Sequence, residues 1–225
     1  MFFKVLTDFV TGIITKTYTP KNKIYYSIAH SGECGAVSLN NISENTVSKN
    51  AFDGFKPVFS DVILVDLPLS KAIKYINTNA TKDDLAIQIH FNSTSFEKCI
   101  CGKNRYVGSI CQNCNTKSEK YVKFGPLCIA WHTNRQLCAN ITYALNKLIP
   151  GQEFLLDQLI PDNTRSHNER PNCLAWPKLK CKSILIEAGF GCDPNFSHFI
   201  DNKDNQIEIG KTVGKVIKDF ICKDI

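Results

Sequence analysis

Residues 183–190 read Ser183-Ile184-Leu185-Ile186-Glu187-Ala188-Gly189-Phe190 (SILIEAGF). The first four read as a short strand, apolar from Ile184 to Ile186, the pattern of a strand covered on both faces as in a parallel sheet. An acid follows at once. With no basic residue beside it in sequence, a carboxylate at such a strand end is costly unless it is paired or does chemistry. This stretch sets the fold class and marks a first candidate residue, Glu187.

Working outward, strands and helices alternate. Ile24–Ala29 reads as a strand, Glu44–Phe52 as a helix opened by Ser43, and Asp61–Val65 as a buried strand. Leu69–Ile76 reads as a helix, Leu85–Ile89 and Leu127–Trp131 as strands, and Asn134–Leu148 as a helix ending before Pro150-Gly151. Lys203–Cys222 closes the chain as an amphipathic helix, with Ile207, Val213, Ile217 and Ile221 on one face. The alternation predicts a single α/β domain over residues 1–225, with a mostly parallel twisted sheet and helices on both faces. Residues 96–124 break it: polar and rich in cysteine, they read as an excursion from a loop between two strands.

In this reading three strands run into a polar residue: His30 in SIAHSG, His90 in IQIHFNS, and Glu187. Ligands of an open α/β sheet gather at the carboxyl ends of its strands, so the three are expected to converge. Glu44, in the first turn of its helix, joins them. Two histidines and a carboxylate around an open fourth position form a hydrolytic zinc site. Glu33 is a rival carboxylate, disfavoured by its closeness to His30 in sequence.

The residues HSGECGA with Glu44 fourteen positions after His30, then His90-Phe91-Asn92-Ser93, then Leu185-Ile186-Glu187-Ala188-Gly189-Phe190, resemble the zinc-dependent N-acetylmuramoyl-L-alanine amidases of the type-3 family. The resemblance runs from about Ile24 to Phe220. There are departures: Ser31 stands where the family usually has Gly, Cys34 where Asp is common, and Gln88 where Ser precedes the second histidine. An arginine often found after the second strand is absent from VDLPLSK. The resemblance implies an amidase/phosphorylase-hydrolase-like fold and catalytic zinc on His30, Glu44 and His90. It also implies Glu187 as general base and then acid, in cleavage of the bond between N-acetylmuramic acid and the L-alanine of the peptidoglycan stem peptide. Asn92, His132 and Arg170 are candidate substrate contacts; Arg165 and Asn172 share the polar loop of Arg170, which a solvated loop explains equally well.

A second cluster lies in CICGKNRYVGSICQNC, residues 99–114. Cys99-x-Cys101 and Cys111-x-x-Cys114, with Gly102 and Gly108 to permit tight turns, suit a closed zinc knuckle with four thiolate ligands, structural rather than catalytic; two disulfides are the alternative. Lys98, Lys103, Arg105, Lys117, Lys120 and Lys123, with Tyr106 and Tyr121, make the best case for nucleic-acid binding. No recognition-helix pattern follows, so peptidoglycan and not nucleic acid is the expected partner.

The net charge of +6 favours an anionic partner but is spread along the chain without a dense block. Eleven cysteines, seven outside the cluster and without regular spacing, point to synthesis in a reducing compartment. The N-terminal apolar run is broken by Asp8 and followed by no cleavage-site pattern, and no stretch approaches a membrane span. Together these point to a phage endolysin made in a host cytoplasm and acting at the wall. A zinc carboxypeptidase or endopeptidase acting on the stem peptide is one alternative, and a non-enzymatic zinc-knuckle nucleic-acid binder the other.

Overall fold

The computed structural model describes residues 22–120, 124–131, 135–152 and 178–223. Its main sheet has five strands: β1 (Ile24–Ser27), β2 (Ile63–Val65), β3 (Leu85–Asn92), β6 (Leu127–Trp131) and β7 (Lys182–Phe190), in the order β2-β1-β3-β7-β6. The first three and β7 run parallel, and β6 is an antiparallel edge strand on β7. Strands β4 (Phe96–Lys98) and β5 (Asn104–Tyr106) form a separate antiparallel hairpin. SILIEAGF is thus an inner strand, and its apolar run is explained by cover on both faces.

Alternate residues of each strand feed two layers. Ile24, Tyr26, Ile87, Ile89, Ile184 and Ile186 belong to the larger core, with Val47, Ala51 and Phe55 of helix α1 (Glu44–Phe55). The same core takes in Ile141 and Leu145 of α3 (Arg135–Leu148) and Ile209, Val213 and Ile217 of α5 (Lys203–Lys223). The other face carries Tyr25, Ala86, Leu127 and Leu185, covered by Ala72 and Ile76 of α2 (Leu69–Asn79). On α5 the sequence assignment needs adjustment: Ile209 is fully buried while Ile207 is only partly so. A short helix, α4 (Pro194–Phe199), was not expected; Asp193 caps it through the backbone N–H groups of Asn195 and Phe196, with proline at its start.

Helix α1 begins where Ser43 predicts: its side chain accepts a hydrogen bond from the Thr46 amide. That fixes Glu44 as the first helical residue, at the positive end of the helix, beside the carboxyl edge of the sheet.

Candidate metal centre

Strand β1 ends at Ser27, and His30 sits in the turn beyond it with φ of 50°, a left-handed conformation uncommon for a non-glycine residue. Helix α1 holds that turn. The Ser48 hydroxyl accepts from the Ala29 amide (2.9 Å), and the Asn45 side chain donates to the carbonyls of Ala29 (2.9 Å) and His30 (3.2 Å). The same helix therefore supplies Glu44 and positions His30. The loop closes through Ala36, whose carbonyl accepts from the Glu44 amide (2.9 Å) and whose amide donates to Glu44 Oε2 (2.9 Å).

His90 and Glu187 are not at the last residues of their strands. Strand β3 continues to Asn92 and β7 to Phe190, with His90 paired in register to Glu187. Side chains of register partners in a parallel pair share a face, so these two stand together at the carboxyl edge. Glu187 is buried, 8% exposed.

The expected ligands converge. His30 Nε2 lies 3.2 Å from Glu44 Oε2, His90 Nδ1 hydrogen-bonds Glu44 Oε1, and the two rings meet edge to face at 5.3 Å. One donor atom from each residue lies within 4.8 Å of the others. Gly35, at φ 67°, folds over them: a Cβ there would come within 2.6 Å of His30 Cδ2 and 2.8 Å of Glu44 Oε2. Burial alone would raise the Glu44 carboxyl, but the hydrogen bonds from His30 and His90 pull it down to about 2. The Glu44 hydrogen bond raises His30 from its usual value, against the opposing pull of burial. His90 Nε2 and Asn92 Nδ2 are buried without a hydrogen-bond partner among the described residues. Two imidazoles and one anionic carboxylate this close, under a lid that tolerates no side chain, suit a zinc ion.

Glu33 does not belong to this set. Its carboxylate is 3.8 Å from the other ring nitrogen of His30 and its side chain is 80% exposed. Asn92 follows on β3, its side chain accepting from the Ser93 amide (2.8 Å). His132, Arg170, Arg165, Asn172, Tyr121 and Lys123 lie outside the described residues. Sequence reading missed Asn45 and the pair formed by the Ser31 hydroxyl and Asp66 Oδ1 (2.6 Å) beside the His30 turn. An Asn directly after the ligand-bearing first position of a capped helix was the only available sign of the former.

The four cysteines also gather, their sulfurs within 4.8 Å of one another. Arg105, expected on a basic surface, instead turns inward to Glu97 (2.8 Å) with its side chain 8% exposed.

No protein-family profile matches the chain, and no curated protein sequence matches it either. Solved structures do. The N-acetylmuramoyl-L-alanine amidase AmiC2 of Nostoc punctiforme superposes with a TM-score of 0.59 at 14% identity, over 89% of this chain and 97% of that one. The N-acetylmuramyl-L-alanine amidase Ami1 of Mycobacterium smegmatis gives 0.61 at 9% identity, over 90% and 98%. The catalytic domain of CwlV, an amidase from Bacillus (Paenibacillus) polymyxa var. colistinus, gives 0.53 at 14%, over 89% and 98%. The mostly parallel sheet and its flanking helices thus have the fold of these N-acetylmuramoyl-L-alanine amidases.

Proposed function

We propose that this chain is a zinc-dependent peptidoglycan amidase that hydrolyses the bond between N-acetylmuramic acid and the L-alanine of the stem peptide. The observation that carries the reading is the convergence of His30, Glu44 and His90 with Glu187 as the register neighbour of His90. The likeness to amidases across nearly nine-tenths of the chain supports it. Residues 1–225 act on this reading as one catalytic unit, with 96–124 inserted in it.

His30, Glu44 and His90 hold the metal. Bound zinc supplies a Lewis acid for the scissile carbonyl and lowers the pKa of a coordinated water toward 7. Glu187 accepts the proton of the attacking water and returns it to the leaving alanine nitrogen, as base and then acid. Its burial keeps competing water from the carboxylate, and Asn92, whose amide nitrogen lacks a partner among the described residues, is on this reading a candidate substrate contact. His132 and Arg170 remain candidates for further substrate contacts. Lysis of a bacterial host from within is the setting we propose. It rests on the eleven cysteines, whose thiols suit synthesis in a reducing compartment.

Zymography combined with metal analysis of the wild type and His90→Ala tests the assignment. The variant is expected to lose one zinc equivalent and all lysis. Product analysis decides the bond: glycan strands free of peptide support the amidase. Stem peptides shortened but still attached to glycan would overturn it in favour of a peptidase. Unaltered lysis by His90→Ala would overturn the metal site.

A further inference from the structure

Cys99 and Cys101 precede a turn that ends in Gly102 (φ 77°), and Cys111 and Cys114 one that ends in Asn115 (φ 57°). The two turns have analogous hydrogen bonds, the second turn being one residue longer. The Gly102 amide donates to the Cys99 carbonyl (2.8 Å) and the Asn115 amide to that of Cys111 (2.8 Å). The Cys99 amide donates to the Lys103 carbonyl (2.9 Å) and the Cys111 amide to that of Thr116 (2.9 Å). The two analogous turns present their thiols to one another. The nearest sulfur pairs are Cys99–Cys114 at 3.4 Å and Cys101–Cys111 at 3.7 Å. A disulfide needs about 2.05 Å. A zinc tetrahedron with bonds of about 2.3 Å has sulfur–sulfur edges of about 3.8 Å. The observed spacing is close to the second value.

The surroundings suit an anionic centre. The Thr116 hydroxyl sits 3.0 Å from Cys99 Sγ and 3.1 Å from Cys114 Sγ, able to donate to a thiolate. Arg105 Nη1 points toward Cys99 Sγ (3.9 Å) and is held by the carbonyls of Thr116 (3.1 Å) and Lys117 (2.9 Å). The other side of that guanidinium is occupied by Glu97, which also accepts from Ser118 (2.5 Å). A buried cation needs charge around it, and one carboxylate plus a tetrathiolate supplies it. Four thiolates and Zn²⁺ leave a net charge of about −2; the Arg105 guanidinium near Cys99 offsets part of it, and the neutral Thr116 hydroxyl contributes a hydrogen-bond donor to the sulfurs.

We propose that Cys99, Cys101, Cys111 and Cys114 bind a second, closed zinc, with Thr116 and Arg105 as its outer partners, and that this metal orders the insertion. The hairpin cannot order itself by apolar burial, because Phe96, Ile100 and Ile110 are exposed at 61%, 87% and 44%. It also meets β7 and the turn just beyond that strand. Thr94 donates to the Val107 carbonyl (2.8 Å) and contacts Cys192 Sγ (3.5 Å), while Phe124 packs on Phe190 at 5.3 Å. What lies between these contacts depends on the metal.

The test uses His90→Ala protein, which lacks the other metal site but keeps all four cysteines. It is expected to carry one zinc per chain, replaceable by cadmium with the intense thiolate-to-cadmium absorption of a tetrathiolate. Thr116→Val is expected to weaken that zinc about tenfold while every cysteine remains. Trypsin should leave residues 98–120 intact until a chelator removes the metal, then cut at Lys98, Lys103 or Lys117. Two disulfides, Cys99–Cys114 and Cys101–Cys111, or alkylation of all four thiols in metal-replete protein, would overturn the site. Identical trypsin patterns with and without zinc would overturn the ordering role. None of these readouts uses hydrolysis, so the proposal stands or falls apart from the amidase reading.

Discussion

His90 and Glu187 are direct register partners in the parallel ladder of β3 and β7, so a metal-ligand candidate and an acid share one face at the sheet's carboxyl edge. The ladder, not a loop, sets their spacing. Strands lie about 4.8 Å apart, so the backbone separation of the two residues cannot change without breaking the pairing of β3 with β7.

That rigidity gives the first prediction. Glu187→Gln keeps shape and volume and removes only the proton acceptor. The zinc content and thermal midpoint should stay near wild type while the rate of muropeptide release falls about 10²–10⁴-fold. A fall in zinc content in step with activity would instead make Glu187 a ligand.

The second concerns pH in the metal-free protein. Glu44 is held at about 2, below its usual 4.5, so its contribution is complete above pH 4.5 and is lost as pH falls toward 2. His30 is raised above 6.5, so its contribution is complete below pH 6.5 and is lost as pH rises through the raised value. Metal-free protein should therefore be most stable between about pH 4.5 and 6.5. Thermal unfolding across pH 2–8 checks this, and Glu44→Gln should flatten both flanks. Zinc reverses the alkaline flank: it needs neutral imidazole, so its affinity should fall as pH drops through the raised His30 value.

The third lies away from the site, where α1 crosses α5. A Cβ on Gly210 would lie 1.7 Å from the Ala51 carbonyl oxygen, and one on Gly54 would lie 1.9 Å from that of Ile207. Backbone cannot yield as a flexible side chain does. Gly210→Ala should cost about 3 kcal/mol or more in urea unfolding. Because α1 carries Glu44 at its other end, zinc affinity should weaken in the same variant. A change under about 1 kcal/mol would mean the helices can separate freely.

Much of this was readable from the chain. Apolar runs such as Ile184-Leu185-Ile186 mark strands covered on two faces, and Ser43 before Glu44 marks a helix start, so the order of elements and the converging trio follow. The antiparallel direction of β6 was not readable, because a buried strand has the same composition in either direction. The left-handed turn at His30 was hidden too: a positive φ on a histidine is imposed by Asn45 and Ser48, contacts between chain segments that no local pattern encodes. In the insertion, Arg105 read as part of a basic surface, yet with Glu97 it forms the interior of a unit too small for an apolar one. The Asp193-Pro194 pair was a visible start signal for α4 and was passed over.

The last prediction follows from that turn. Asn45 bridges the carbonyls of Ala29 and His30 and so holds a conformation that costs about 1–2 kcal/mol for a non-glycine residue. Asn45→Ala removes the bridge without touching a candidate ligand, since Glu44 keeps its own contacts to Ala36. Zinc should bind about 10–100-fold more weakly, measured by competition with a chromogenic chelator. The helix should survive, because its start depends on Ser43. Asn45→Asp is the discriminating control: it keeps size but its carboxylate can donate to neither carbonyl, so it should resemble alanine in zinc affinity. If Asp restores wild-type binding, side-chain volume and not the pair of hydrogen bonds is what sets His30 in place.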